Sequence, residues 1–202
     1  MQFGICNLSI LPLRLEPSDT SELVSQVLYG DIFKVLEQRK QWSKIRLAYD
    51  KYEGWIDNKQ YLEITEDSYK NLNLETLKLS SDLVEFVQDE NQLLNTIVLG
   101  STLNGLSLLN HTFEGVYVEK QNPKSEIIST AFKYLNSPYL WGGKTPFGID
   151  CSGFTQMVYK LNGYKLLRDA SQQASQGEAL SFIEESDKRM HTHKLRVIKK
   201  II

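Results

Sequence analysis

The chain has 202 residues, of which 41% are apolar and 24% charged, and a formal net charge of −2. That is the composition of a globular protein with room for one large domain or two to three small ones, and it leaves no electrostatic footprint for nucleic acid or an anionic membrane. No apolar run reaches the ~18 residues needed to span a bilayer, and no basic-then-apolar stretch marks a signal, so no membrane insertion is expected. The expected location is the cytoplasm, or the periplasm or cell wall if a signal has been removed.

From Met1 to Leu62 the pattern is all-β. Cys6, Leu8 and Ile10 alternate with polar neighbours, Glu16-Pro17-Ser18-Asp19 reads as a turn, and Leu23 to Leu28 follows. After Gly30-Asp31 come Ile32 to Leu36, then Trp42, Ile45 and Leu47, and finally Gly54-Trp55-Ile56. Short strands at this spacing, punctuated by Gly, Pro and Asp, predict a small barrel. The order Gly30-Asp31, Val35-Leu36-Glu37, Trp42 to Arg46, Gly54-Trp55-Ile56 resembles bacterial SH3-like domains, modules that commonly accompany cell-wall hydrolases. Residues 63–121 carry short apolar runs (Val84 to Val87, Thr96 to Leu99, Leu106 to Leu109, Val116 to Val118) separated by turns such as Asn104-Gly105, and a second SH3-like barrel is expected there.

Residues 122–202 change character. Asn122 is expected to cap a helix with Pro123 at its first position, and Ile127, Ile128, Ala131, Phe132 and Leu135 recur at helical spacing up to Asn136-Ser137-Pro138. A glycine-rich loop leads to Cys151, where a second helix is expected with Phe154, Met157, Val158 and Leu161 on one face and Asn162-Gly163 as its stop. Asp169 and Gln172 form the capping box of a third, short helix ending near Gly177.

The two cysteines, Cys6 and Cys151, fall in different predicted domains, so a disulfide framework is not expected. A cysteine at the start of an amphipathic helix is commonly a small buried hydrophobe. Cys151 has a different setting: unpaired amides and the positive end of the helix dipole stabilise a thiolate, Ser152-Gly153 leave room for a carbonyl, and three glycines precede it. Such a thiolate suits nucleophilic attack on an amide and needs a general base.

The run Ser137-Pro138-Tyr139-Leu140-Trp141-Gly142-Gly143-Lys144-Thr145-Pro146-Phe147-Gly148-Ile149-Asp150-Cys151-Ser152-Gly153-Phe154 resembles the nucleophile motif of NlpC-type papain-like cysteine peptidases, and Arg168-Asp169-Ala170-Ser171-Gln172-Gln173 resembles their second motif. With SH3-like modules in front, the architecture is similar to γ-D-glutamyl-L-diamino-acid endopeptidases, which cleave cell-wall muropeptides. The resemblance implies an α+β class, with one or two small SH3-like barrels followed by a shortened papain-like peptidase domain. It implies Cys151 as nucleophile, with Tyr139 polarising the carbonyl. Asp150 and Ser152 would hold the D-glutamyl end and free amine of the substrate, Asp169 and Ser171 would border the same pocket, and Trp141 would pack on substrate or loop. SH3-like residues would close one side. The implied partners are short peptides of the L-Ala-γ-D-Glu-diamino-acid type, with no cofactor and no metal.

The family continues with a sheet that carries the base histidine, and no such His-bearing strand follows Cys151. His111 precedes the peptidase segment, and Thr192 to Lys199 resembles the closing strand of the family, in which His193 is not the base. The chain reads as a complete template with a segment removed near Glu185 to Arg189. Three readings stay open: a cysteine peptidase, a non-catalytic SH3-type peptide- or wall-binding protein with a degenerate peptidase remnant, and an acyl transferase using the same thiolate.

Overall fold

The structure, a computed structural model, describes residues 2–177. The expectations placed on residues 178–202, including the closing strand and the interruption near Glu185 to Arg189, lie outside the described residues.

The first segment forms the expected barrel. Strands β1 (Gln2–Ile5), β2 (Ile10–Arg14), β3 (Leu23–Leu28), β4 (Ile32–Gln38), β5 (Trp42–Leu47), β6 (Glu53–Asp57) and β7 (Leu62–Ile64) make one seven-stranded sheet in the order β3-β2-β6-β5-β4-β1-β7. Its named strand pairs are antiparallel, with bulges at Leu13/Arg14 and Val35/Glu37 that bend the sheet upon itself. Alternation aims Leu11 and Leu13 of β2, Phe33 and Val35 of β4, and Ile45 and Leu47 of β5 into one core with Cys6, Val27, Ile56 and Tyr61. Trp55 is buried under the Arg39 guanidinium, 4.4 Å from its ring centroid.

Residues 63–121 form a helix and short strand pairs. Helix α1 (Glu66–Leu74) is capped by Thr65, whose hydroxyl accepts the Ser68 amide. It is followed by β8 (Leu79–Ser80), β9 (Val84–Gln88), β10 (Leu94–Val98) and β11 (Tyr117–Val118), which pair only as two separate two-stranded sheets, β9 with β10 and β8 with β11. Isolated bridges join Leu79 to Thr102 and Gln88 to Thr112, and Leu103 to Asn110 winds through successive turns. The segment has a small core of its own, in which Val87, Ile97, Leu103, Leu106, Leu109 and Phe113 gather around Tyr29 from the first barrel.

The third segment opens with a 3₁₀ turn (Lys124–Glu126) and helix α2 (Ile127–Phe132). Asn122 is not the helix cap. Its amide donates to the Asn162 carbonyl at 3.1 Å and its side chain faces that of Asn162, so the chain enters the helix through Pro123 and a tighter turn. The helix also stops before Asn136, where turns from Tyr134 to Ser137 lead to a left-handed Asn136. A two-residue hairpin, β12 (Lys144–Thr145) and β13 (Gly148–Ile149), precedes α3 (Cys151–Leu161), and α4 (Ala170–Gln176) follows. The capping box is present at α4, where Gln172 Oε1 accepts the Asp169 amide at 3.1 Å.

Phe154, Met157, Val158 and Leu161 of α3 are buried as their spacing predicts, and the cluster around them draws on all three segments: Leu28 from the barrel, Leu79, Val98 and Leu99 from the middle, Ala131, Tyr134 and Ile149 from the third. Burying each such side chain stabilises the fold by about 1.5–3 kcal/mol. Gly30, at the turn between β3 and β4, has φ of 76°, and a Cβ there would lie 1.7 Å from the Thr102 carbonyl oxygen of the middle segment. Gly30→Ala is expected to lower stability by about 2–4 kcal/mol, combining left-handed strain with overpacking, in urea unfolding. Gly177→Ala, where the nearest atom is 3.9 Å away, is expected to change it by less than about 0.5 kcal/mol.

Candidate active site

Cys151 is the first residue of α3 and is exposed. Asp150 caps the helix, its Oδ1 accepting the Gly153 amide at 2.6 Å, and the Phe154 amide bonds the Asp150 carbonyl at 2.8 Å. The amides of Cys151 and Ser152 are left without an acceptor among the described residues, as expected for the first turn of a helix. An exposed thiol and unpaired hydrogen-bond donors thus share one helix end.

The loop before Cys151 is fixed by its glycines and by Asp150. Gly142 has φ of 76°, and a Cβ there would meet the Leu23 carbonyl oxygen at 2.3 Å. Gly153 packs its α-carbon against the Gly143 carbonyl, where a Cβ would again come to 2.3 Å. Asp150 Oδ2 accepts the Gly142 amide at 2.8 Å.

Beneath Cys151 lies a buried ion pair. Arg168, 1% exposed at its side chain, donates to Asp150 Oδ2 at 2.7 Å and Oδ1 at 3.0 Å. The same guanidinium donates to Ser152 Oγ at 2.9 Å and, through Nε, to Ser25 Oγ of β3 at 3.0 Å. Burial acts to raise the Asp150 carboxyl; the hydrogen bonds and charge of Arg168, with the Gly153 and Gly142 amides, outweigh it and hold the pKa below the ordinary aspartate value.

A pocket of about 380 Å³ opens beside Cys151. Its walls come from the barrel (Glu22, Val24, Tyr52), the glycine loop (Tyr139, Trp141), the start of α3 (Asp150 to Ser152) and the start of α4 (Arg168 to Ser171). All seven residues singled out from sequence thus meet at one place. Cys151, Tyr139, Trp141 and Ser171 are exposed there and Asp169 half-buried, while Asp150 and Ser152 are buried with their polar atoms committed to Arg168 and the α3 cap. In this structure those two side chains hold the loop, and the carboxylates of Glu22 and Asp169 also line the pocket.

Glu22 and Tyr52 escaped the sequence reading because they belong to the barrel, far from Cys151 in the chain. Glu22 Oε1 accepts the Trp141 indole N–H at 2.6 Å, which fastens the loop to the barrel. Burial, and next the charge of Asp169, push the Tyr52 phenol up, so it stays a neutral donor beside that carboxylate. The pairing of Arg168 with Asp150 was foreshadowed only by the second motif. His111 lies elsewhere, its Nδ1 2.7 Å from the Tyr29 hydroxyl, and among the described residues no histidine lines the pocket. His191 and His193 lie outside the described residues.

Comparison with known proteins agrees with this arrangement. Residues 13–60 match the bacterial dipeptidyl-peptidase Sh3 domain and residues 136–193 the NlpC/P60 family. The chain is 28% identical over 194 residues to dipeptidyl-peptidase 6 of Lysinibacillus sphaericus, covering 78% of this chain and 69% of that protein. It is 30% identical over 186 residues to γ-D-glutamyl-L-lysine dipeptidyl-peptidase of Bacillus subtilis, covering 83% of this chain and 62% of that one. The chain thus spans about two thirds of the length of these relatives. An NlpC/P60 family protein from Bacillus cereus has the same fold, with a TM-score of 0.76 at 21% identity over 90% of this chain and 79% of that one.

Arg168→Met leaves the Asp150 carboxylate buried without its partner and is expected to cost about 3–5 kcal/mol in denaturant unfolding. Because the folded pKa of Asp150 is depressed, its contribution is complete above the unfolded aspartate pKa of about 3.9 and is lost as pH falls below it. The wild type is accordingly expected to lose more stability than Arg168→Met between pH 5 and pH 2, in unfolding curves recorded at each pH.

Proposed function

We propose that this chain, which joins a bacterial dipeptidyl-peptidase SH3 domain to an NlpC/P60 domain and is homologous to the γ-D-glutamyl-L-lysine dipeptidyl-peptidases, hydrolyses short cell-wall peptides at the γ-D-glutamyl bond with Cys151 as nucleophile. The observation that carries the proposal is an exposed cysteine at a helix N-terminus, opening on a pocket that the barrel closes on one side.

The thiolate adds to the amide carbonyl carbon, the C–N bond breaks, and the amine leaves with a proton; water then hydrolyses the thioester. Negative charge on the carbonyl oxygen meets the Cys151 and Ser152 amides, and the exposed Tyr139 lines the same pocket. Glu22 and Asp169 make the far end acidic, with Tyr52 between barrel and α4, which suits the free ammonium of a peptide beginning with L-Ala. A wall of barrel residues favours a substrate that ends there, hence short peptides over intact strands.

A second reading rests on one observation: no histidine among the described residues lines the pocket. A chain without a base for the thiol would bind such peptides and not turn them over, as a peptidase remnant.

Incubation with L-Ala-γ-D-Glu-diaminopimelate separates the two. Turnover that is lost in Cys151→Ala supports the peptidase; binding without turnover by the wild type supports the remnant. Iodoacetamide is expected to label Cys151 and spare Cys6, which is fully buried with its thiol pushed up to about 12 by burial. Peptide mapping by mass spectrometry reads this directly. Glu22→Gln is expected to raise KM by roughly ten- to a hundredfold for the free-amine peptide, the scale of losing a charged contact, and to leave KM for the N-acetylated peptide little changed.

A further inference from the structure

Gln156 lies on α3, five residues after Cys151, and its side chain is fully buried. Its Nε2 uses both hydrogens. It donates to Asp50 Oδ2, in the turn between β5 and β6, at 2.9 Å and to the Leu166 carbonyl at 3.1 Å. Its Oε1, equally buried, accepts no hydrogen bond among the described residues. A position needed only for packing would take an apolar side chain and leave no orphaned acceptor, so what this amide contributes is its two donors.

The two acceptors lead to two walls of the Cys151 pocket. Asp50 is buried and also accepts the Tyr52 amide, on Oδ1 at 3.0 Å, so one carboxylate fixes the turn that delivers Tyr52. Lys51, between them, is left-handed with φ of 63°, a conformation a lysine keeps only where its surroundings impose it. Leu166 stands three residues before Asp169, and Arg168 between them is locked on Asp150. Tyr52 and Asp169 both line the pocket, near enough that the Asp169 charge, after burial, pushes the Tyr52 phenol up. Gln156 does not line the pocket and acts only through its two partners.

We propose that Gln156 is a positioning residue for the acidic end of the Cys151 pocket: gripping Asp50 and Leu166 with one amide, it sets Tyr52 against Asp169 and thereby the preference for a free peptide ammonium. The preference rests on the function proposed above; the clamp does not. No other uncharged side chain of this length places two donors on one atom. Glutamate would set a carboxylate against Asp50, and methionine matches the shape without a donor. Because Gln156 and Cys151 share one helix, the clamp also holds that end of the pocket at a fixed distance from the thiol.

The test uses the full chain carrying Cys151→Ala, so that no peptide is consumed, and isothermal titration with L-Ala-γ-D-Glu-diaminopimelate and its N-acetylated form. The free-amine peptide is expected to bind roughly tenfold or more tightly than the acetylated one. Adding Gln156→Met, with its thermal unfolding transition checked, is expected to reduce that ratio to about threefold or less through the free-amine peptide alone. Asp50→Asn, which has one acceptor oxygen where two are used, is a second variant from the barrel side and is expected to act in the same direction. Tyr52→Phe is expected to match Gln156→Met, with no further loss when the two are combined. Val98→Ala, a core substitution away from the clamp, is expected to keep the ratio while lowering the melting temperature. In protein labelled with carbon-13 tyrosine, the Tyr52 ring resonance is expected to move in Gln156→Met and to stay in place in Val98→Ala. An unmoved Tyr52 resonance, equal weakening of both peptides by Gln156→Met, or additive losses with Tyr52→Phe overturns the proposal. A parent that binds both peptides alike overturns the ammonium reading instead, and the resonance still decides the clamp.

Discussion

The carboxylate of Asp150 accepts five hydrogen bonds: from the Gly142 amide behind it, the Gly153 amide ahead of it, the Ser152 hydroxyl, and two arms of Arg168. Each donor belongs to a different requirement. Gly142 sets the glycine loop, Gly153 starts α3, and Arg168 brings in the chain that leads to α4 while its Nε reaches Ser25 on the barrel. Remove that carboxylate and Cys151 loses its helix cap, its preceding loop and its tie to the first segment together. A charged group is used where a neutral one would give the same shape because only a carboxylate offers enough acceptor sites for this many donors. The desolvation of both ions is offset by satisfying nearly every polar atom of the pair.

The same logic extends to packing. Leu28, Leu79, Val98 and Leu99 come from the first two segments and close on α3. Gln26 braces β12, Glu22 braces Trp141, and Asp50 accepts the Gln156 amide group at 2.9 Å. The pocket at Cys151 is consequently a property of the assembled chain and not of the peptidase-like segment taken alone, since Glu22, Val24 and Tyr52 form one of its walls.

How much of this was legible in the sequence depended on the range of the interaction involved. Local signals worked: the barrel strands, the buried face of α3 at Phe154, Met157, Val158 and Leu161, and the capping box at Asp169 and Gln172 all follow from spacing of two or three to four residues. Asn122 misled because a residue suited to a helix cap was drawn into a pairing with Asn162, forty positions away, that local propensity does not encode. In residues 63–121 the apolar runs at Val84 to Val87 and Thr96 to Leu99 coincide with the paired strands β9 and β10, whereas Leu106 to Leu109 lies in turns. Glu22 and Tyr52 left no local sign at all, and the pairing of Asp150 with Arg168, eighteen positions on, lies beyond any local pattern.

The link between Trp141 and Glu22, together with the shared core, bears on how such a protein can change over evolutionary time. A barrel that merely delivered a catalytic unit to its target would be an exchangeable cassette, free to be swapped by recombination. Here exchange would have to carry Glu22, Ser25, Gln26, Leu28, Asp31 and Asp50 with it, because each one touches the segment that holds Cys151 or its helix. The two halves are therefore constrained to change together, and the shape of the pocket is open to single substitutions on the barrel wall that leave Cys151 and the ion pair beneath it as they are.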